Sequence, residues 1–581
     1  MPVVEDLTPA GSLSSLLSLK ALALASVLLT GLGLTWLVVD YARMLRLHRK
    51  MPPGPTPWPI VGNTFSLPKV KPWYYFEELS KRFDSPVITF WIGRSPTVWI
   101  NDAKSASELL EKKAAIYSSR PRMVVFAELT EMHQSADPNS KLPGNNLVTM
   151  FYGERWRVHR KITHQGVGLQ QVRNYRGFQN DESRMVAYHI LHDPSNFVAY
   201  YERYATSVVS IIGFNRRVSS IDNPIITEVI AVMQKAAELN VPGKEFPMLF
   251  ETFPALSHLP RSWFPWFFKG MSRRRRGQDF FYTLAEEAHK KDPTSTCYSN
   301  SLFKEQEKYN LGKPDISSLA GNLFGAGSDT SSSTLVTFTL ACCAFPEVLP
   351  KAWEELDRVV GHHRSPSWED EPELPYIKAF VKEVFRWRSV AIIGGQPHAP
   401  VSDDEWKGYS IPKGTWTQGN VWAIHHNEKD FPDPDRFNPE RFLKDGRDAR
   451  PFPNEKGYMT FGWGRRVCSG QGLAEQGTFM TVARMLWAFN IQKALDSQGK
   501  EIPVDIFSYT CVRNHCANGK ITDTRASDGL NWRPHLFPCR FTPRSPEIVD
   551  AIEREGRQAL QDLSMYEGES EAITAFFKRN K

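Results

Sequence analysis

A mainly α-helical body with a minor β-sheet part, preceded by one N-terminal transmembrane helix, is the fold class the sequence predicts. Residues 21–39 carry no charged side chain. Most of the remaining chain shows helical periodicity broken by Pro/Gly turns, whereas strand-like alternation is confined to stretches such as 86–90 and 97–100. No internal repeat appears, so one continuous body over 58–544 is expected.

Taken in chain order, the anchor comes first. At 1.5 Å per residue, the uncharged run reaches about 28 Å as a helix, close to the hydrocarbon thickness of a bilayer. A cleaved signal peptide would need a basic leading region, but Glu5 and Asp6 stand there. Arg43, Arg46, Arg49 and Lys50 follow the run and only Lys20 flanks its start, so the positive-inside bias makes 1–20 lumenal and the body cytosolic. A basic, proline-rich linker over 40–57, with Pro52, Pro53, Pro55 and Pro57, is stiff enough to hold the body at a fixed angle to the membrane. Within the body, Ile316, Leu319, Ala320, Leu323 and Phe324 repeat at helical spacing, and Leu335 and Phe338 extend the stripe. Gly325 and Gly327 interrupt it at a cost of about 1 kcal/mol each relative to Ala, so close backbone approach or a local distortion is expected there. The last segment, 545–581, is a charged amphipathic tail with no assigned function.

Composition narrows the function. With 71 basic and 64 acidic side chains the net charge is +7, too mild over 581 residues for nucleic-acid binding. Seven cysteines, an odd and sparse set, argue for a reducing compartment rather than a disulfide framework. Arg273 to Arg276 follow Trp263, Phe264, Trp266, Phe267 and Phe268, a combination that suits a membrane interface better than nucleic acid. Cys511 and Cys516 with His515 lack a second ligand pair, and a zinc site is rejected.

The densest chemical signal is Phe461-Gly-Trp-Gly464-Arg-Arg466-Val-Cys468-Ser-Gly470, a glycine-punctuated loop delivering one cysteine ahead of a helix expected to begin near Gly472. Backbone N–H groups, Arg465, Arg466 and the helix N-terminus would lower the thiol pKa and let the thiolate bind iron. Alone, an isolated cysteine is more often a small buried hydrophobe. Taken singly, Glu383 and Arg386 would be an ordinary helix pair, Trp156 a core residue, and His398 a satisfied histidine. Thr330 could equally bond its own helix.

On Phe461, Gly464, Arg466, Cys468 and Gly470 together, the chain resembles a membrane-bound member of the cytochrome P-450 superfamily. Trp156-x-x-x-Arg160, Ala326-Gly327-Ser328-Asp329-Thr330, Glu383-x-x-Arg386, Pro397-His398 and Phe437-x-Pro439-Glu440-Arg441-Phe442 resemble further motifs of that family in its own order. The resemblance implies the cytochrome P-450 fold, haem b on the thiolate of Cys468, and cofactor contacts from Phe461, Arg466 and Gly470. It further implies that Trp156, Arg160 and His398 meet the propionates, that Asp329 and Thr330 deliver protons to bound oxygen, and that Glu383, Arg386 and Arg441 form a structural lock.

By the same resemblance, the chain is a monooxygenase of the endoplasmic reticulum membrane, served by an NADPH-dependent cytochrome P-450 reductase and by cytochrome b5. Only 581 − 468 = 113 residues follow the cysteine, so the reductase is expected to be a separate protein that approaches Arg465 and Arg466. The segments implied to line the substrate chamber, 122–150, 246–268, 320–330, 390–396 and 507–511, are mostly apolar and suit a hydrophobic small molecule. The overall pattern is similar to filamentous-fungal enzymes that tailor secondary metabolites. A haem-thiolate isomerase or dehydratase and a non-catalytic membrane haem sensor stay open as alternatives.

Overall fold

The computed structural model describes residues 10–130, 132–239, 245–265, 272–443, 452–510, 516–517, 520–521, 531–568 and 570–579. The described residues are mostly helical and the sheets are small. At the centre lies the helix Lys313–Ala344. It starts where Asp315 Oδ2 accepts the Gly312 N–H at 2.8 Å, and it stops at Phe345, whose backbone is forced out of the helical region by Pro346. The helices Phe197–Phe214, Pro224–Leu239 and Ser272–Lys291 pack along it. Glycine permits this approach: a Cβ on Gly325 would lie 2.5 Å from Met233 Sδ, and one on Gly327 would lie 2.4 Å from Val209 Cγ1. The helix is unbroken through both glycines. Of the two expected reasons for them, close approach holds and distortion does not.

Strands Val87–Ile92 and Ser95–Ile100 pair antiparallel, and Trp416–Gly419 adds in parallel through Thr97 opposite Trp416. Val87–Ile92 is buried on both faces, which is why its apolar pattern is nearly continuous. The pair Phe489–Lys493 and Cys539–Pro543, and the shorter pair Tyr509–Thr510 and Arg533–Pro534, bring the C-terminal part of the chain back against the core.

The N-terminal helix runs from Ala10 to His48. Its stretch Ala21–His48 is the one helix among the described residues apolar and long enough to cross a membrane unbent, with mean hydropathy 2.2 in its most apolar window. The basic residues expected to open a linker at 40 lie largely on this helix. Charged flanks do not break a helix, and its end is docked: Met44 is buried in a core cluster with Val87 and Trp91, Arg94 pairs with Asp40, and Tyr41 Oη donates to Pro57 O at 3.1 Å. The proline segment also lies on the body, since Thr89 N donates to Pro53 O at 2.9 Å.

The tail, expected as a separate charged segment from 545, packs on the body as well. Helix Pro546–Leu563 places Ala559 and Leu563 against Met185 and Ile211. Phe576 on helix Glu571–Arg579 lies 5.4 Å from Phe280, centroid to centroid, and Arg217 pairs with Glu567 at 2.6 Å. Arg554 and Arg557 lie on the outer face, Glu555 and Glu567 pair with Arg184 and Arg217 of the body, and the apolar stripe covers the core.

Candidate active site

The cysteine loop is shaped by its glycines. Gly462 and Gly464 have φ of +78° and +55°, a left-handed backbone that side-chain-bearing residues rarely adopt. A Cβ on Gly464 would also lie 2.4 Å from Leu110 O. Cys468 N donates to Phe461 O at 2.9 Å, closing the loop, and helix Gln471–Ala488 starts just beyond and packs on the central helix. Cys468 is exposed, yet burial is the main influence on its thiol. Both hold for a side chain that is ringed by protein and faces an internal cavity. Burial pushes the thiol pKa up, while the Gly470 N–H and Arg160 pull it down. This corrects the expected lowering. Arg465 turns outward to Tyr152 Oη at 2.5 Å and Arg466 turns to backbone carbonyls, so Arg160 is the cation acting on the sulfur. A coordinated metal ion, rather than these groups, would deprotonate the thiol.

Three guanidiniums converge beside the loop. Arg160, on helix Glu154–Val167, donates to Val467 O at 2.7 Å. Arg466 donates to Ser118 O, Leu147 O and Met150 O at 2.6, 3.1 and 2.7 Å, and its guanidinium lies 4.4 Å above the Trp156 ring. Arg120, a residue absent from the motif reading, donates to Val148 O, Gln396 O and Pro397 O at 2.9, 2.8 and 2.9 Å. Burial lowers the Arg120 pKa to about 9. Burial and the neighbouring Arg120 and Arg160 push Arg466 well below its usual value. Among the described residues, no carboxylate pairs with any of the three. The buried Trp156 Nε1 and both side-chain polar atoms of Gln396 also have no protein partner. Buried cations and donors in this state are costly unless an anion meets them.

His398 is buried, and burial with Arg120 and Arg466 lowers its pKa to about 3. Its Nδ1 lies 2.8 Å from Tyr117 O, so the neutral ring donates there and leaves Nε2 as an acceptor. Arg120, which donates to Gln396 O and Pro397 O, is a cation beside this ring.

Behind the loop, Glu383 and Arg386 form a buried bidentate pair, both bonds 2.7 Å. Arg441 Nε lies 3.4 Å from Glu383 Oε1, an ion pair without hydrogen-bond alignment. Arg386 donates to His425 O at 3.0 Å, and the His425 ring accepts the Met459 N–H at 2.8 Å. The triad thus connects to the chain two residues before Phe461, whose ring lies 5.2 Å from Phe385. His425 carried no sequence signal.

On the central helix, Ala326 is exposed between buried Gly325 and half-buried Gly327, so this turn of a core helix faces a cavity. Thr330 Oγ1 donates to Ala326 O at 2.7 Å. Asp329 Oδ2 accepts from Asn531 Nδ2 at 2.5 Å. Of the residues expected at a membrane interface, Trp263 is 65% exposed, Arg276 is paired with Glu228 at 2.7 Å, and Trp266, Phe267 and Phe268 lie outside the described residues. Cys511 and His515 also lie outside them.

The family model for cytochrome P450 matches residues 52–508. Cytochrome P450 monooxygenase 58 of Postia placenta is 32% identical over 94% of this chain and 98% of its own length. Cytochrome P450 monooxygenase yanC of Aspergillus niger is 33% identical over 90% and 95%. Cytochrome P450 monooxygenase verL of Clonostachys rogersoniana is 32% identical over 93% and 96%. The chain belongs to the cytochrome P450 family, whose members carry thiolate-bound haem.

Proposed function

We propose that this chain inserts one oxygen atom of O2 into a hydrophobic small molecule and reduces the other to water, with two electrons drawn from NADPH through a separate membrane-bound reductase. The observation that carries this reading is the thiol of Cys468 beside Arg120, Arg160 and Arg466, three guanidiniums with no carboxylate among the described residues. That donor set fits haem b. Cys468 would ligate the iron, and the three arginines with the Trp156 N–H would meet the two propionates, as anions demand. When bound, haem supplies electron transfer and oxygen activation.

The protein's part is positioning and proton handling. Thr330 Oγ1 gives its own proton to Ala326 O, which leaves its lone pairs to accept from water at the cavity face. Asp329 is the neighbouring group able to carry a proton from solvent. Glu383, Arg386 and Arg441 hold the cysteine loop from behind. Helix Ala21–His48 would anchor the enzyme in the endoplasmic reticulum membrane with the body in the cytosol, where the reductase and cytochrome b5 approach the Arg465 side. The mostly apolar chamber segments and the fungal relatives of matching length support a tailoring step in secondary-metabolite biosynthesis.

Incubation with reductase, NADPH, isotopically labelled O2 and a panel of hydrophobic compounds tests the reaction. One labelled oxygen per product molecule is expected. Product that forms without NADPH and O2 would contradict it and favour an isomerase or dehydratase.

A further inference from the structure

Ser328, Thr330, Ser332 and Thr334 all donate to carbonyls of their own helix. Asp329 reaches beyond it, to Asn531, 202 residues further along the chain. The segment that carries Asn531 is fixed on its far side. Trp532 N donates to Val390 O at 2.8 Å. The Trp532 ring is fully buried, with centroids of Trp73, Trp422 and Tyr509 at 5.4, 5.7 and 4.2 Å. Arg533 then pairs with Glu202 at 2.9 Å. An amide is therefore presented from a rigid support to the Asp329 carboxyl.

We propose that Asn531 is a positioning residue for proton delivery: its Nδ2–H holds the Asp329 carboxyl in one rotamer through Oδ2, the geometry in which the group passes a proton in each cycle. The inference rests on the monooxygenase reading. A carboxyl that must return to one geometry at every turnover gains from a donor that cannot exchange a proton with it.

The test needs no organic substrate. With reductase, one NADPH, one H+ and one O2 give one H2O2, whereas two NADPH, two H+ and one O2 give two H2O, so the ratio of peroxide to NADPH reads how well protons arrive. Asn531→Leu removes the donor while roughly retaining volume, and Asn531→Ala removes it without adding bulk. Both should bind haem as the wild type does, judged by the reduced carbon monoxide spectrum, and raise the peroxide share about twofold or more. In an Asp329→Asn background the Asn531→Leu change should add nothing to that share. Melting temperatures of the two single variants and the double variant should be non-additive, as for groups in contact.

An unchanged peroxide share in Asn531→Leu and Asn531→Ala, alongside slowed turnover in Asp329→Asn, would overturn the role of Asn531 and leave the monooxygenase reading intact. Additive melting shifts would overturn the contact itself. Absence of reductase-dependent O2 uptake by the wild type would overturn both.

Discussion

On the cysteine side, the loop 461–470 is held by two left-handed glycines, by the Cys468 to Phe461 hydrogen bond, and by Arg466, which spans three backbone carbonyls. On the central-helix side, Asp329 and Thr330 sit on a regular helix, and Thr330 is satisfied by the carbonyl one turn back. The first region is constrained by backbone shape and buried charge, so a change there should disturb folding and cofactor retention. The second keeps its shape without its polar side chains, so a change there should disturb chemistry alone.

The largest effect expected on the cysteine side comes from Arg386→Leu, which strands the buried Glu383. It should cost about 3–5 kcal/mol, read by urea unfolding. Arg441, partly exposed and poorly aligned at 3.4 Å, should cost about 1 kcal/mol when changed to Leu. Equal losses would mean that the lock is a true triad rather than a pair with an attendant.

Arg120→Leu should weaken haem retention by about tenfold or more, because one charge partner of a propionate is lost; haem loss to an acceptor protein measures it. Wild-type retention would reduce Arg120 to a tie between the loops at 148 and 396.

Thr330→Ala should leave haem binding unchanged and stability within about 0.5 kcal/mol. Electrons from NADPH should move from product to hydrogen peroxide. A loss of haem in this variant would erase the contrast between the two regions.

The smallest effect concerns the cover of the cavity. Glu251, on helix Glu245–Thr252, accepts the Val125 N–H at 2.9 Å and so ties together two of the segments that the resemblance implies line the chamber. Burial raises its pKa from 4.5 to about 7, opposed by the Val125 and Val124 N–H groups. For a carboxyl raised in the folded state, the associated stability is fully present below 4.5 and is lost as pH rises through 7. Melting temperature should therefore fall between pH 5 and about 8 by more in the wild type than in Glu251→Gln. Parallel curves would show that the tie does not titrate.

The cysteine loop was legible in the sequence because it needs glycine at particular backbone positions and residues at fixed spacing, and both leave marks over ten residues. Glu383 and Arg386 were legible because one helical turn separates them. Arg120 left none: its partners at 396 and 397 lie 276 and 277 residues away, and nothing in Ser119-Arg120-Pro121 announces them. Asn531 and His425 were hidden for the same reason. The tail showed its amphipathic stripe but not the surface that stripe covers. The loss of hydropathy at Asp40 closes the uncharged run but not the helix, which continues to His48 because charged residues do not break a helix.

Whether Cys468 holds haem iron as a thiolate is read from the absorption spectrum of the reduced carbon monoxide complex. The wild type should show the red-shifted band of thiolate-ligated haem, Cys468→Ala should lose it, and alanine at Cys297, Cys342, Cys343 or Cys539 should leave it in place. Retention of that band in Cys468→Ala, or its absence from wild-type protein that has bound haem, would contradict the account.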